Sequence, residues 1–117
     1  MATEKIDQAD EQASAAKSVP QVYINRLAGH VGEEVTLRGW LYNLRSSGKL
    51  LFVQLRDGTG IVQCVVFKKG VPEEVWESLR NLGQETALII RGTVRADERA
   101  PGGFELDVAG AEVLQAV

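Results

Sequence analysis

The sequence predicts an all-β domain, a Greek-key barrel of five strands with one helix between strands 3 and 4, and three observations lead there. Apolar and polar residues alternate with a period of two in separate stretches from Glu34 onward, the spacing that turns one face of each strand into a core. Glycine-containing turns separate several of these stretches, as hairpin connections require. One stretch with a helical period, Val71 to Gly83, falls between the third and the fourth.

The elements follow in order. Residues 1–20 are rich in Ala, Gln, Glu, Asp, Lys and Ser and hold too little apolar surface to fold alone, so they read as a disordered or weakly helical acidic tail. Pro20 is a natural stop for such a helix. Residues 21–117 form the folded domain, beginning with a short apolar-faced turn at Ile24 and Leu27 before Gly29 and Gly32. Strand 1 runs from Glu34 to Arg45, and Gly39 inside it marks the bend by which one long strand serves both halves of a small barrel. Ser46 to Lys49 is a hairpin loop. Strand 2, Leu50 to Asp57, sets Leu51, Val53 and Leu55 against Phe52, Gln54 and Arg56. After the turn Asp57-Gly58-Thr59-Gly60, strand 3 runs from Ile61 to Lys68 and sets Val62, Cys64 and Val66 against Gln63, Val65 and Phe67.

The helix carries its own boundary signs: Pro72 in the first turn, Glu73 and Glu74 at the positive end of the dipole, Arg80 at the negative end and Gly83 as a C-terminal cap. Val75, Leu79 and Leu82 are expected to close the barrel floor. Strand 4, Ala87 to Asp97, points Leu88, Ile90 and Val94 inward. Strand 5 starts at Phe104, with Phe104, Leu106 and Val108 inward and Glu105 and Asp107 outward. This order is that of the five-stranded OB barrel, in which closure removes the sheet edges. A split sheet-and-helix sandwich with the same element order is the structural alternative.

Composition narrows the function. With 117 residues, 44% apolar and 25% charged, the chain suits one globular domain. No apolar run approaches the roughly 20 residues of a membrane span. The first residues, Met1-Ala2-Thr3-Glu4-Lys5, lack the basic start and apolar stretch of a secretory signal, so a cytoplasmic location is expected. One cysteine and one histidine cannot build a disulfide or a cysteine/histidine metal cluster within one chain. Cys64 reads as a buried structural thiol and His30 as a turn residue, and no nucleophile, acid–base pair or cofactor motif accompanies them. The sequence therefore offers no catalytic residue, no metal site and no cofactor. Net charge is −3, which disfavours a polyanionic partner until the charges are placed. Residues 21–69 hold seven basic and three acidic groups, whereas residues 70–117 hold four and nine. A localised contact face fits that asymmetry, as does an unevenly charged solvated surface.

The outward residues suggest what such a face would bind. Phe52 is an outward aromatic, Gln63 on the next strand offers a donor and an acceptor, and Arg45 offers a cationic fork. Together they suit stacking a base, reading its edge and holding its phosphate. Outward Glu105 adds an acceptor suited to guanine, and Lys49 and Arg56 add positive charge at the two ends of strand 2. The loops Ser46 to Lys49 and Glu98 to Gly103 are the two that flank the oligonucleotide groove in this fold. Equally, Phe52 covered by the N-terminal segment, with Arg45 and Gln63 as ordinary surface polars, satisfies the same pattern. Trp40 and Tyr42, also outward, read as rim packing more readily than as base platforms.

The run Val35-Thr36-Leu37-Arg38-Gly39-Trp40-Leu41, Arg45, and Gly48-Lys49-Leu50-Leu51-Phe52-Val53-Gln54-Leu55-Arg56-Asp57-Gly58-Thr59-Gly60-Ile61-Val62-Gln63 resembles the N-terminal anticodon-binding domain of the class IIb aminoacyl-tRNA synthetases. Leu-Arg-Asp-Gly-Thr-Gly and Ala-Pro-Gly-Gly-Phe-Glu-Leu look most like the bacterial asparaginyl branch. The resemblance implies that Phe52 stacks on the central anticodon uridine, Gln63 bonds its edge, Glu105 helps select guanine at the first position, and Arg45 contacts the stem-loop. It implies tRNA as the partner, with asparagine tRNA favoured because Tyr42-Asn43-Leu44 stands where aspartyl relatives carry several arginines. The family's catalytic domain has no counterpart in these residues, so the resemblance implies a non-catalytic portion of an asparagine-tRNA ligase or a freestanding relative. A protein-interaction module and a general single-strand binder are the rival expectations.

Overall fold

The computed structural model describes residues 19–115, so all but the end of the expected tail lies outside the described residues. Among the described residues five strands are present, β1 (Glu34–Ser47), β2 (Leu50–Arg56), β3 (Ile61–Phe67), β4 (Ala87–Ala96) and β5 (Phe104–Gln115), with a helix, α1 (Glu73–Leu79), between β3 and β4. They hydrogen-bond in the order β1-β2-β3-β5-β4, and β4 pairs back onto β1 so that one sheet closes on itself. All neighbours run antiparallel except β3 and β5.

Closure depends on β1 serving two partners. Its first half, Glu34 to Trp40, pairs with β4, and its second half, from Trp40 to Ser47, pairs with β2. Gly39 sits at the changeover, where an added Cβ would overlap the Arg56 carbonyl oxygen and stand 3.0 Å from its carbon. Only a residue without a side chain lets the two strands come this close.

The core lies inside the closed sheet. Leu37, Val53, Leu55, Cys64, Leu88 and Ile90 are fully enclosed, each aliphatic side chain among them contributing about 1.5–3 kcal/mol by burial. A 3-10 helix, Ile24–His30, brings Ile24 and Leu27 against the start of β3, and α1 brings Trp76 and Leu79 against the core. Here the structure departs from the sequence expectation. Val75, Leu79 and Leu82 do pack against the core as expected, Val75 and Leu82 half-buried, but Trp76, which the helical stripe left out, is buried with them. The helix is two turns long and ends at Leu79, so Gly83 is not its cap. Instead the Gly83 carbonyl accepts the Thr86 hydroxyl at 2.7 Å. Strand edges shift slightly too, with β1 running on to Ser47 so that the hairpin turn shrinks to Gly48 and Lys49.

The turn after β2 is tied down by its own side chains. Asp57 Oδ1 accepts from the Thr59 amide at 2.8 Å and from the Thr59 hydroxyl at 2.7 Å. Its other oxygen accepts the Ile24 amide at 2.8 Å, satisfying a donor at the start of the 3-10 helix that the fold would otherwise leave open. No helix among the described residues is long and apolar enough to cross a membrane.

Candidate nucleic-acid interface

The outer surface of β1, β2, β3, β5 and β4 carries two rows of side chains fixed by strand register. One row is Arg45, Phe52, Val65, Asp107 and Thr93; the next is Asn43, Gln54, Gln63, Glu105 and Arg95. Phe52, Gln63 and Glu105 therefore share one side of the sheet, as the parity of the sequence requires. Phe52 is half-buried, resting beside Val65, which is outward by alternation yet only 5% exposed. Residues 1–18 lie outside the described residues, so the alternative of a ring covered by the N-terminal segment falls outside them too; the described part of that segment runs along β1 through the Gln21 to Thr36 bridge.

Arg45 reaches this row through a defect in β1. Strict alternation from Trp40 would carry Tyr42 and Leu44 outward and Arg45 inward. The register slips between Leu41 and Asn43, leaving Tyr42 as an extra residue that resets the alternation. Leu44 then turns toward the core and Arg45 outward. The carbonyl of Tyr42 that the bulge displaces accepts from Gln84 Nε2 at 2.8 Å. As a result the Arg45 guanidinium lies over Phe52, its carbon 4.8 Å from the ring centroid.

The second row is closed by an ionic chain. Gln63 Nε2 donates to Glu105 Oε2 at 2.8 Å, and Arg95 Nη2 donates to Glu105 Oε1 at 2.6 Å. Arg95 also grips both oxygens of Asp107 at 3.1 Å and reaches Asp97 at 3.4 Å. The hydrogen bond that Arg95 donates to Asp107, and then the one it donates to Glu105, hold its guanidinium more firmly protonated than usual. Asp97 is held below the ordinary carboxylate range, first by the Arg99 backbone N–H and then by the Arg99 charge. Glu105 is thus not the open outward acceptor expected from sequence. It is 8% exposed, and both its oxygens are engaged.

The remaining expected residues sit at the periphery. Lys49 occupies the β1–β2 turn and lines a cleft with Lys68, Trp76 and Arg80. Arg56 lies at the other end of β2, its guanidinium 5.6 Å from the Tyr42 ring, about 13 Å along the strand from Phe52 at 3.3 Å per residue. Trp40 and Tyr42 are 46% and 43% exposed. The structure brings together Arg45 with Phe52 and Gln63 with Glu105; it does not bring Lys49 or Arg56 to them. Arg95 was missed by sequence reasoning, although β4 alternation with Val94 inward turns it outward, where a basic residue opposite Glu105 and Asp107 would be sought. Cys64 is fully buried and free, and burial, reinforced by the Glu105 carboxylate, pushes its thiol well above the usual range.

Residues 35–114 match the tRNA anti-codon family, described as an OB-fold nucleic acid binding domain. The chain is 52% identical over 101 residues to an asparagine–tRNA ligase of Koribacter versatilis, covering 86% of this chain and 23% of that protein. It is 54% identical over 96 residues to the asparagine–tRNA ligase of Herpetosiphon aurantiacus, covering 82% and 22%. The crystal structure of asparaginyl-tRNA synthetase from Pyrococcus horikoshii complexed with asparaginyl-adenylate superposes with a TM-score of 0.77 at 47% identity, over 82% of this chain and 22% of that one. The chain thus spans less than a quarter of the length of these relatives. With the match running across most of the closed sheet and its outer face, the chain belongs to the tRNA anti-codon family of OB-fold nucleic acid binding domains.

Proposed function

We propose that this chain is the anticodon-binding domain of an asparaginyl-tRNA synthetase and that the two outer rows hold the single-stranded anticodon loop of asparagine tRNA. Phe52 is the stacking platform, Gln63 reads a base edge, and Arg45, Lys49 and Arg56 meet the phosphate backbone around them. Residues 21–117 make up this domain, with residues 1–20 as a tail, and the strand order is that of a Greek-key barrel. The domain works in the cytoplasm, where its substrate is, and the chemistry of the ligase belongs to the part of the relatives that these residues do not span.

The observation that carries the reading is the Arg45, Phe52 and Gln63 cluster, an aromatic ring, a cation and an amide on three adjacent strands. Arg45 now covers one face of the ring, a contact worth about 0.5–1 kcal/mol at an exposed site. Stacking a base is worth roughly 1–3 kcal/mol, so a base displaces the guanidinium, which is then free to pair with a phosphate.

Titrating the domain with an anticodon stem-loop tests this. Phe52→Ala is expected to weaken binding roughly five- to hundredfold, the conversion of one lost stacking contact, and Gln63→Ala to blunt the preference for the central uridine. Equal affinity of Phe52→Ala and wild type would remove the proposal. Affinity indifferent to salt would indicate a protein-interaction module instead, and equal binding of scrambled loops a general single-strand binder.

A further inference from the structure

The chain from Gln63 through Glu105 to Arg95 has a consequence for which base is accepted. A carboxylate has no proton to give, so the Gln63 side chain must turn its nitrogen toward Glu105, as the 2.8 Å contact has it. The carbonyl oxygen must then face away. Glu105 cannot swing aside to release the amide. Its second oxygen is held by Arg95 at 2.6 Å, and Arg95 is itself clamped on both oxygens of Asp107. Glu105 itself is only 8% exposed.

Uracil and cytosine differ at this point in a simple way. Uracil presents an N–H donor at position 3 beside an acceptor at position 4, and cytosine presents the reverse. A glutamine free to rotate by half a turn matches either edge. A glutamine whose nitrogen is pinned matches one.

We infer that Glu105, held in place by Arg95, is a positioning residue that fixes the Gln63 amide with its carbonyl toward the bound base, so that the site accepts a base with a donor at position 3, uracil, and rejects cytosine. This rests on the reading of Phe52 and Gln63 as the base platform. It also assigns Arg95, through its grip on Glu105, a part in base choice.

The test compares stem-loops that differ only by uridine or cytidine at the central anticodon position, titrated into the 117-residue chain. Wild type is expected to favour uridine by roughly tenfold or more, about one hydrogen-bond pattern matched or mismatched. Glu105→Gln keeps the shape but can both donate and accept, so Gln63 is freed to turn. The uridine-to-cytidine ratio is expected to fall at least threefold, mostly because cytidine binds better. Arg95→Lys keeps the charge, sits on a side chain 41% exposed and loses the fork; it is expected to lower the ratio in the same direction even if Glu105→Gln folds poorly. A merely structural role would weaken both loops together and leave the ratio in place. An unchanged ratio in both variants, with Phe52→Ala still weakening binding, would overturn the inference and spare the binding reading. Phe52→Ala without effect would overturn both.

Discussion

The same substitution, glycine to alanine, is expected to have opposite effects at two positions. At Gly39 the new Cβ would overlap the Arg56 carbonyl oxygen, lie 3.0 Å from the carbonyl carbon and 3.3 Å from Leu55 Cγ. Ordinary carbon contacts are about 3.5–4.0 Å, so β2 must retreat by roughly half an ångström or more. That carbonyl is backbone in a paired strand, and Leu55 is fully buried, so neither can move alone. Overpacking of this kind costs about 1–3 kcal/mol, against a gain of about 0.4–1 kcal/mol from a less flexible unfolded chain. Gly39→Ala is therefore expected to lose about 1–2 kcal/mol net. At Gly29 nothing stands within 4 Å and φ is not positive, so only the unfolded-state gain remains. Gly29→Ala is expected to stabilise by about 0.4–1 kcal/mol. Urea unfolding followed by tryptophan fluorescence measures both, Trp76 being buried in the native state. On heating, each kilocalorie corresponds to a shift of about 4–8 °C for a domain of this size. A Gly39→Ala domain as stable as wild type would refute the claim that β1 needs a bare backbone to serve two partners.

Three further outcomes are expected. Asp57→Ala removes the acceptor of the Ile24 amide and both Thr59 contacts, and should cost about 1–3 kcal/mol in urea unfolding; unaltered hydrogen exchange at Ile24 would show that the carboxylate does not anchor that helix. The Cys64 thiol, ordinarily at 9.0, is raised in the fold first by burial and then by Glu105, so above pH 9.0 the unfolded chain gives up the proton while the folded one keeps it. Stability should then decline with rising pH by at most about 1.4 kcal/mol per pH unit, and Cys64→Ala should flatten that decline; parallel slopes for the two proteins would contradict the assignment. Lys49→Ala, at the β1–β2 turn, should weaken stem-loops of any sequence to a similar degree and reduce the salt dependence by about one counterion, whereas a change confined to one sequence would mean that Lys49 reads a base.

Much of the fold was legible because its strands obey the period of two. Val62 and Cys64, or Leu51, Val53 and Leu55, are inward in the sequence pattern and enclosed in the structure. Where the pattern failed, the cause was local. The bulge at Tyr42 adds one residue that no composition marks, and without it Arg45 would have faced the core. Trp76 was passed over because Val75, Leu79 and Leu82 already made a helical stripe, while a helix of only two turns leaves the larger ring better placed to fill the barrel end. The engagement of Glu105 was illegible for a different reason. Outward parity says which side of a sheet a carboxylate leaves from, but not that a partner on β4, ten residues earlier in the chain, will cover it. The family resemblance located Phe52, Gln63 and Glu105 as a group but carried no information on Arg95.

On the proposed function, the two faces of the same strands divide the labour of the molecule, and that division would let base recognition be exacting on a small domain. Gln63 lies between Val62 and Cys64, and Phe52 between Leu51 and Val53, all four neighbours fully enclosed. The backbone that carries each proposed reading group is therefore fixed by core packing on its other side. What remains mobile is the side chain itself, with one or a few torsions, and the outer rows remove those in turn: Val65 flanks the ring, Arg45 lies on it, and Glu105 takes the amide nitrogen. Each restraint is polar or shallow, so breaking one alters selectivity without opening the core. The inward residues behave in the opposite way, since a change at Val62 or Cys64 moves the strand and thereby the reader. Loss of discrimination with stability retained is accordingly the signature of the outer rows, and loss of both together the signature of the inner ones.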